Sequence, residues 1–358
     1  GEPVAYVVMM HPQTGEIYAM AGYNDNPGVI NKSFAMGSAV KGATLLAGYH
    51  TGVVSPGTSI YDAPIRVGGV TKASVKNWGS INDLKAMEVS SNVYMFHIAM
   101  RMAGFNYNSQ CCWNNIPESY NQMRYYYSQF GLGVETGIDL PSESTGFNGG
   151  VQYPGNMLDL AIGQFDTYTP LQLAQYISTI ANDGYRMKPQ LVKEIREPSA
   201  TKEELGRIVY QFRPTVLNRV DMSDEHIKQV QRGFRQVVTG SNGTARGAFA
   251  DRPYEAAAKT GTAQVRVPVV VGDRTTYVDG NNQTLVGYAP YENPVVAFAV
   301  VVPNVKRDSN GGDTQISRRI SRAIMDTFFE LQNNRRTPSA PSAEMELEGL
   351  EDVGEPVE

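Results

Sequence analysis

The sequence is poor in cysteine and histidine. Its two cysteines, Cys111 and Cys112, are adjacent. Neighbouring cysteines close a ring only with strain, so we expect two free thiols, which leave the cellular compartment undecided. The four histidines are His11, His50, His97 and His226. None belongs to a cluster with metal-ligand spacing or stands beside a nucleophile motif, so we predict no metal, no cofactor and no histidine-based triad.

Long apolar runs and basic stripes are also missing. No stretch of eighteen apolar residues and no signal peptide occurs. The chain begins with Gly1 instead of Met, so we expect a soluble fragment whose parent protein carries any membrane anchor. The net charge is −5, but residues 337–358 hold seven of the acidic residues, and the remainder has 31 basic and 29 acidic ones. A nearly neutral body without a basic stripe excludes nucleic acid as a partner.

The composition and the apolar patterns indicate a large globular unit. Hydrophobic residues make up 41% of the chain and charged residues 19%, which are ordinary values for a globular protein. Apolar patterns predict strands at residues 4–12, 16–21, 255–265, 284–289 and 295–302. Thr169 and Ser223 are predicted helix caps, and a final amphipathic helix is predicted over residues 313–334.

This layout predicts an α/β fold of the α+β type. An antiparallel sheet built from both chain ends is flanked by helices, and a helical lobe is added to it. Residues 1–336 form the predicted domain, whereas residues 337–358 are acidic, lack apolar periodicity and are predicted to be disordered. We expect residues 103–127 to be irregular, as an insertion or as small helices, and residues 266–282 to form a loop between two strands.

Ser38 and Lys41 form the motif around which the chain is organised. An apolar, small-residue pattern follows the serine, and a helix starting there places the lysine one turn away on the same face. A serine nucleophile needs a base, and a lysine can be that base when burial lowers its pKa. The free N–H groups of a helix start can also stabilise an oxyanion. A second Ser-x-x-Lys, at Ser199 and Lys202, precedes two glutamates and is interpreted as an exposed cap.

Two further stretches can share a site with this pair. Ser90 and Asn92 stand at a break between two helical patterns, and an extended break would point both side chains the same way. A helix cap is the competing interpretation. Lys259-Thr-Gly-Thr262 lies on a predicted strand, where Gly261 leaves room for a ligand backbone and the lysine and threonines can bind a carboxylate. A strand ending in a bulge is the competing interpretation.

Ser-x-x-Lys, Ser-x-Asn and Lys-Thr-Gly in this order are the joint signature of β-lactamases and penicillin-binding proteins. Over roughly residues 3–334 the chain resembles class B penicillin-binding proteins, and most closely the type 2B proteins of Gram-positive bacteria. The likeness includes Asn31-Lys-Ser-Phe, Met36-Gly-Ser-Ala-Val-Lys41, Gly137-Ile-Asp-Leu-Pro141, Gly163-Gln-Phe-Asp166 and Lys259-Thr-Gly-Thr-Ala263. The resemblance implies the penicillin-binding, serine β-lactamase-like transpeptidase fold and a D,D-transpeptidase that cross-links peptidoglycan stem peptides.

The resemblance also implies the roles of single residues. Lys41 takes the proton of Ser38, which attacks the carbonyl between the two terminal D-alanines of a stem peptide. Ser90, linked to Lys41 and Lys259, passes the proton to the leaving D-alanine. The backbone N–H groups of Ser38 and Thr262 hold the oxyanion, and a β-lactam acylates Ser38 in the same way. The implied substrate-binding residues are Asn92, Thr260, Gly261 and Thr262.

Two other kinds of function stay open. A serine β-lactamase or D,D-carboxypeptidase uses the same groups and releases the acyl group to water. A class A β-lactamase holds that water with a glutamate, but here the middle motif is Ser-Ser-Asn, and Glu143 has no asparagine at the matching offset. A non-catalytic β-lactam sensor or scaffold is disfavoured because every catalytic residue type is present, although motifs alone do not eliminate a sensor.

For the parent protein, the resemblance implies an N-terminal membrane anchor and a position on the extracytoplasmic face of the cell membrane. The implied partners are peptidoglycan stem peptides, β-lactam antibiotics and other cell-wall synthesis proteins such as a glycosyltransferase. The loop predicted at residues 266–282 is expected to border the acceptor side of the site.

Overall fold

The computed structural model describes residues 3–151, 153–199, 201, 204–272, 274–306 and 314–336. The chain divides into two compact units, residues 1–321 and 322–358. The described part of the second unit is the end of the last helix, and the predicted tail, 337–358, lies outside the described residues. The domain boundary at residue 336 therefore stays a prediction. Among the described residues, no helix has the length and apolar character needed to cross a membrane.

The described residues form a main sheet and several short ribbons. In chain order, the strands are β1 Ala5–Met10, β2 Ile17–Tyr23, β3 Ile60–Asp62, β4 Ile65–Val67, β5 Val70–Lys72, β6 Gly79–Ile81, β7 Tyr185–Met187, β8 Glu194–Arg196, β9 Ile208–Gln211, β10 Val216–Arg219, β11 Ala257–Val271, β12 Arg274–Ala289 and β13 Val296–Lys306. The main sheet has the order β11-β12-β13-β1-β2. All its neighbouring strands are antiparallel, and Tyr6 of β1 stands opposite Val301 of β13. The predicted antiparallel sheet from both chain ends is confirmed.

Helices occupy the middle of the chain and follow the last strand. They are α1 Gly28–Asn31, α2 Lys41–His50, α3 Asp83–Glu88, α4 Asn92–Met102, α5 Ile116–Gln129, α6 Pro154–Ala161, α7 Pro170–Ala181, α8 Asp224–Thr239, α9 Arg246–Phe249 and α10 Ile316–Arg336. α2 is buried along nearly its whole length and contacts α4, α5 and α8. These contacts form the predicted helical lobe, and α2 lies at its centre.

The central strand of the main sheet, β13, is apolar over its first eight residues. Residues 296–303 of β13 are all buried, and a continuous apolar run is typical of a strand that is packed on both faces. α7 is buried at every position and contacts β1, β12 and β13. Its predicted capping box is present, because Thr169 Oγ1 accepts from the Gln172 N–H while Thr169 N–H donates to Gln172 Oε1. Ser223 caps α8 as predicted.

The long hairpin of β11 and β12 corrects the prediction of a loop at residues 266–282. The two strands pair without interruption from Ala257 opposite Tyr288 to Val271 opposite Arg274. The valines of residues 265–271 and the Thr-Thr-Tyr-Val run of residues 275–278 are strong strand formers, so their β-propensity prevails over the flanking polar residues.

Of the two alternatives predicted for residues 103–127, an irregular insertion or small helices, each describes part of the segment. Its second half belongs to α5, which buries Tyr120, Met123 and Tyr127 on one face. Cys111 and Cys112 are joined in a disulfide, so the expectation of two free thiols is wrong. The backbone turns sharply there, because Cys111 pairs back with Asn106 and Cys112 has a φ of +76°.

Candidate active site

Ser38 lies on a single turn of 3-10 helix, Gly37–Val40, directly before α2. The predicted helix start is confirmed in position, although its first turn is 3-10 and not α. Ser38 lines a cavity of about 680 Å³, whereas Lys41 at the start of α2 is fully buried. The serine therefore faces the cavity, and the lysine is removed from solvent.

Close backbone contacts hold this turn against β11. Gly37 has a φ of +56°, and a Cβ there would lie within 3.0 Å of the Thr262 carbonyl. A Cβ on Gly261 would lie within 3.0 Å of the Met36 carbonyl, which also accepts a 2.8 Å hydrogen bond from Thr284 Oγ1. Both glycines therefore allow the turn to touch the strand. The predicted reason for Gly261 is wrong, since the turn that carries the serine fills the space that we assigned to a ligand.

Ser90 lies in the short connection between α3 and α4, and Asn92 is the first residue of α4. The extended conformation that would align their side chains is absent at Ser90, which has a left-handed φ of +58°. The serine that caps α4 is Ser91, whose hydroxyl accepts from the Tyr94 N–H at 3.0 Å. The helix-cap interpretation is thus correct for Ser91, and the sharp turn before it sends the side chains of Ser90 and Asn92 to Lys41.

The Ser90 hydroxyl joins the two buried lysines. Lys41 Nζ donates to the Asn92 side-chain oxygen at 2.7 Å, to the Ser90 carbonyl at 2.8 Å and to Ser90 Oγ at 3.3 Å. Lys259 Nζ donates to the same Ser90 Oγ at 2.8 Å and to the Thr260 carbonyl at 2.9 Å. Three motifs that are far apart in the sequence therefore meet around one hydroxyl.

Burial lowers the pKa of both lysines. For Lys41 the pKa falls well below its ordinary value, because of burial and the charge of Lys259, and Asp62 opposes part of this fall. Burial and the positive charge of Arg318 lower the pKa of Lys259 to about 7. The lowered pKa brings Lys41 closer to the uncharged form that a lysine base requires.

The cavity wall on β11 is formed by alternate residues of the strand. Thr260, Thr262 and Gln264 line the cavity, whereas Lys259 is fully buried. The Lys259 ammonium group donates to Ser90 and to the Thr260 carbonyl and does not line the cavity, whereas the two threonines do. Carboxylate binding on this strand stays a prediction, for which the threonines offer the exposed groups.

Three residues at or near the cavity, Thr244, Arg318 and Asp62, were not predicted from the sequence. Thr260 Oγ1 is hydrogen bonded at 2.7 Å to Thr244 Oγ1, and both line the cavity. Arg318 lines it from α10, and a carboxylate, Asp62, lies beneath the Ser90 turn. None of them belongs to a spaced motif, so no local signal in the sequence could have indicated them.

A second cavity, of about 790 Å³, contains serine, histidine and aspartate side chains without forming a triad. Ser223, Asp224 and His226 all line it. Ser223 Oγ caps α8 by accepting the His226 backbone N–H, and His226 Nδ1 is buried with no hydrogen-bond partner in the described part of the chain. The imidazole stacks on Tyr49 instead, so the residues of this cavity do not form a nucleophile–base pair.

Comparisons with known proteins agree with this geometry. Residues 5–326 match the family described as penicillin binding protein transpeptidase domain. Penicillin-binding protein 2A of Bacillus subtilis is 46% identical over 346 residues, which cover 92% of this chain and 48% of the relative. The peptidoglycan D,D-transpeptidase MrdA of Salmonella typhimurium is 25% identical over 331 residues, covering 84% of this chain and 47% of the relative.

The fold has a counterpart among solved structures. Penicillin-binding protein 2B from Streptococcus pneumoniae matches with a TM-score of 0.81 and 33% identity, over 92% of this chain and 54% of that one. The chain thus spans about half the length of the relatives that it matches.

Proposed function

The chain belongs to the family of penicillin-binding protein transpeptidase domains, and from this premise we propose that it cross-links peptidoglycan stem peptides through an acyl-enzyme on Ser38. The observation that carries the proposal is the Ser90 hydroxyl, which is hydrogen bonded to both buried lysines beside the cavity that Ser38 lines. A serine, an uncharged amine and a shared proton relay are the groups that acyl transfer requires.

The proposed acylation uses these groups in sequence. Uncharged Lys41 accepts the proton of Ser38 Oγ as that oxygen bonds to the carbonyl carbon between the terminal D-alanines. The backbone N–H groups of Ser38 and Thr262 stabilise the oxyanion. The C–N bond then breaks, and the leaving amine receives its proton through Ser90. In the unliganded chain the hydrogen bonds of Lys41 go to Ser90 and Asn92, and contacts of a catalytic base often form only in the substrate complex.

The second half-reaction uses the same groups in reverse. The amine of a second stem peptide attacks the ester carbonyl and loses its proton through Ser90, and protonated Lys41 returns a proton to Ser38 Oγ as that oxygen leaves. A β-lactam, whose ring amide takes the place of the D-alanine bond, forms the same ester with Ser38 but does not release its amine leaving group, which stays tethered. Inhibition by β-lactams follows from this.

Substrate binding is proposed for Asn92 and the threonines of β11, with the charge for the terminal carboxylate coming from Arg318. Lys72 lines the cavity too, but it is paired with Asp159 at 2.5 Å. Arg318 has no carboxylate within ion-pair distance in the described part of the chain. Its positive charge lowers the pKa of Lys259, so the guanidinium group of Arg318 lies close to β11, the strand that carries the threonines.

The variant Arg318→Ala is expected to lower kcat/KM about ten- to a hundredfold for a peptide that ends in D-Ala-D-Ala, because a hydrogen bond to a charged group contributes about 1.5–3 kcal/mol. For the same peptide with a C-terminal amide, Arg318→Ala should lower kcat/KM only slightly. Its exposed neighbour offers the matched control Arg319→Ala. An equal loss with the acid and the amide would contradict the assignment.

The function itself is tested by following a D-Ala-D-Ala peptide and a stem-peptide amine acceptor by mass spectrometry. We expect a cross-linked product, and an adduct with benzylpenicillin that lasts many minutes to hours. Hydrolysed peptide without cross-linked product would instead indicate a carboxypeptidase, and catalytic destruction of benzylpenicillin a β-lactamase. A stable adduct without any peptide turnover would indicate a sensor.

The setting of the longer protein is part of the proposal. From the resemblance to class B penicillin-binding proteins, we place this chain in a longer protein that is anchored in the cell membrane by an N-terminal segment and that acts on the extracytoplasmic face. Other cell-wall synthesis proteins, such as a glycosyltransferase, are the proposed partners, since cross-linking requires newly made glycan strands. The β11–β12 hairpin is proposed to border the acceptor side, as its strand begins at the cavity wall.

A further inference from the structure

Asp62 is a buried carboxylate next to the proposed catalytic groups. It ends β3 and is only 1% exposed. Its Oδ2 accepts a hydrogen bond from Ser74 Oγ at 2.8 Å and another from Ser91 Oγ. Its backbone carbonyl accepts from the Trp78 N–H at 3.1 Å, which fixes the main chain at this residue. A carboxylate with so little solvent must be compensated by its neighbours.

The two serines carry the influence of Asp62 to the turn that presents Ser90 and Asn92. Ser74 Oγ accepts the N–H of Asn92 at 3.0 Å and that of Val93 at 3.2 Å. Ser91 Oγ accepts the Tyr94 N–H at 3.0 Å. One carboxylate thereby orients two hydroxyls, and these satisfy three consecutive N–H groups at the start of α4.

The charge of Asp62 also acts on the lysine base. Three fully or almost fully buried ionisable groups, Lys41, Lys259 and Asp62, lie together, and Asp62 is the anion among them. Asp62 raises the pKa of Lys41, against the stronger lowering by burial and by Lys259. Oδ1 of Asp62 has no hydrogen-bond partner in the described part of the chain, so Asp62 acts on Lys41 through its charge and not through a direct hydrogen bond.

We propose that Asp62 is a positioning residue of the active site, which holds the Ser90–Asn92 turn against Lys41 through Ser74 and Ser91 and supplies a buried negative charge next to Lys41. The inference rests on the proposed function, because serine acylation is its readout. It assigns to Asp62 two separable effects, one on the geometry of the turn and one on the basicity of Lys41.

The test measures the acylation rate of Ser38 by benzylpenicillin as a function of pH in the wild-type chain and in Asp62→Asn and Ser74→Ala. In Asp62→Asn the pKa of Lys41 should fall further, so the acidic limb of the pH–rate profile should move to lower pH by about one unit. Because the lysine is then a weaker base, the maximal acylation rate, the plateau of the profile, should fall about tenfold. Ser74→Ala keeps the charge, so it should lower the plateau while leaving the acidic limb in place.

Asp83→Asn is the matched control. Asp83 is also fully buried, also accepts two side-chain hydrogen bonds through Oδ2, and also has an Oδ1 without a partner in the described residues, but its neighbours are Tyr49 and Gln229. This variant should show lowered thermal stability and an unchanged acidic limb, which separates the local charge effect from the general cost of neutralising a buried aspartate.

The possible outcomes distinguish a failure of the role assigned to Asp62 from a failure of the proposed function. An acidic limb that stays in place in a folded Asp62→Asn variant, or that moves equally in Asp83→Asn, overturns the electrostatic role. If Asp62→Asn does not fold, Ser74→Ala decides alone, since an unchanged plateau overturns the positioning role and a lowered plateau in a folded variant supports it. A wild-type chain that forms no adduct would refute the proposed function, which is a different result.

Discussion

Ser38→Ala is expected to abolish covalent labelling by benzylpenicillin and all turnover of D-Ala-D-Ala peptides. The variant removes the hydroxyl that is proposed to form the ester, whereas the Ser90 hydroxyl, which also lines the cavity, is engaged by both lysines. Intact-mass spectrometry should show a one-to-one adduct in the wild-type chain and none in the variant, and peptide mapping should locate the adduct on Ser38.

The chain provides its own control for this experiment. Ser199 belongs to the second Ser-x-x-Lys sequence, but it is exposed and far from the cavity residues in the chain. Ser199→Ala should be labelled at the wild-type rate. An adduct that persists in Ser38→Ala, or that disappears in Ser199→Ala, would show that the nucleophile was assigned to the wrong serine. Because Ser38 is partly exposed on a short turn, the alanine variant should keep the wild-type melting temperature.

Lys41→Met should lower the acylation rate by about 10²–10⁴-fold, which is the usual contribution of a general base. Methionine has a similar length and fills the same buried space, so the loss reports on the amine and not on packing. Rapid-mixing measurement of adduct formation gives the rate. Lys32→Met, which removes a lysine that is half exposed and paired with Asp25, is the control and should acylate normally.

The stability of the same variant tests the lowered pKa directly. In the folded chain the pKa of Lys41 lies well below 10.5, so between that lowered value and 10.5 the unfolded chain binds one proton more than the folded chain. The folding free energy of the wild-type chain therefore becomes more favourable as the pH rises through this window, by about 1.4 kcal/mol per unit at most. Lys41→Met lacks this contribution. Parallel stability curves for the two chains from pH 7 to pH 9 would contradict an uncharged Lys41.

The proximity of the candidate catalytic residues could be predicted from the sequence because they occur in short, spaced motifs. Ser38 and Lys41 are one helical turn apart, and Ser90, Asn92 and Lys259 follow in a fixed order. The structure brings both lysines to the Ser90 hydroxyl beside the cavity that Ser38 lines, and this prediction required no knowledge of the loops between the motifs. The strands of both chain ends were predictable for a similar reason, since their apolar runs are long and uninterrupted.

The supporting residues could not be predicted, because their proximity is created by the fold. Asp62 and Ser74 lie on separate short segments and meet the Ser90 turn only through tertiary contacts. Arg318 reaches the cavity from the last helix, far from every motif. Local conformation misled us as well: a left-handed Ser90 leaves no mark in the sequence, and a helix cap and an extended break look alike there.

The pairing of β1 with β13 has a consequence for the biosynthesis of the protein. Ser38 is synthesised well before the strand that carries Lys259 and the strand that bridges it to β1. A sheet closed by such non-local contacts folds slowly, and domains form as units once their final segment is available. We therefore expect the nascent chain to carry Ser38 without the lysine relay until β11 and β13 have been made. Covalent labelling of the serine by benzylpenicillin should begin only after β13 has paired with β1.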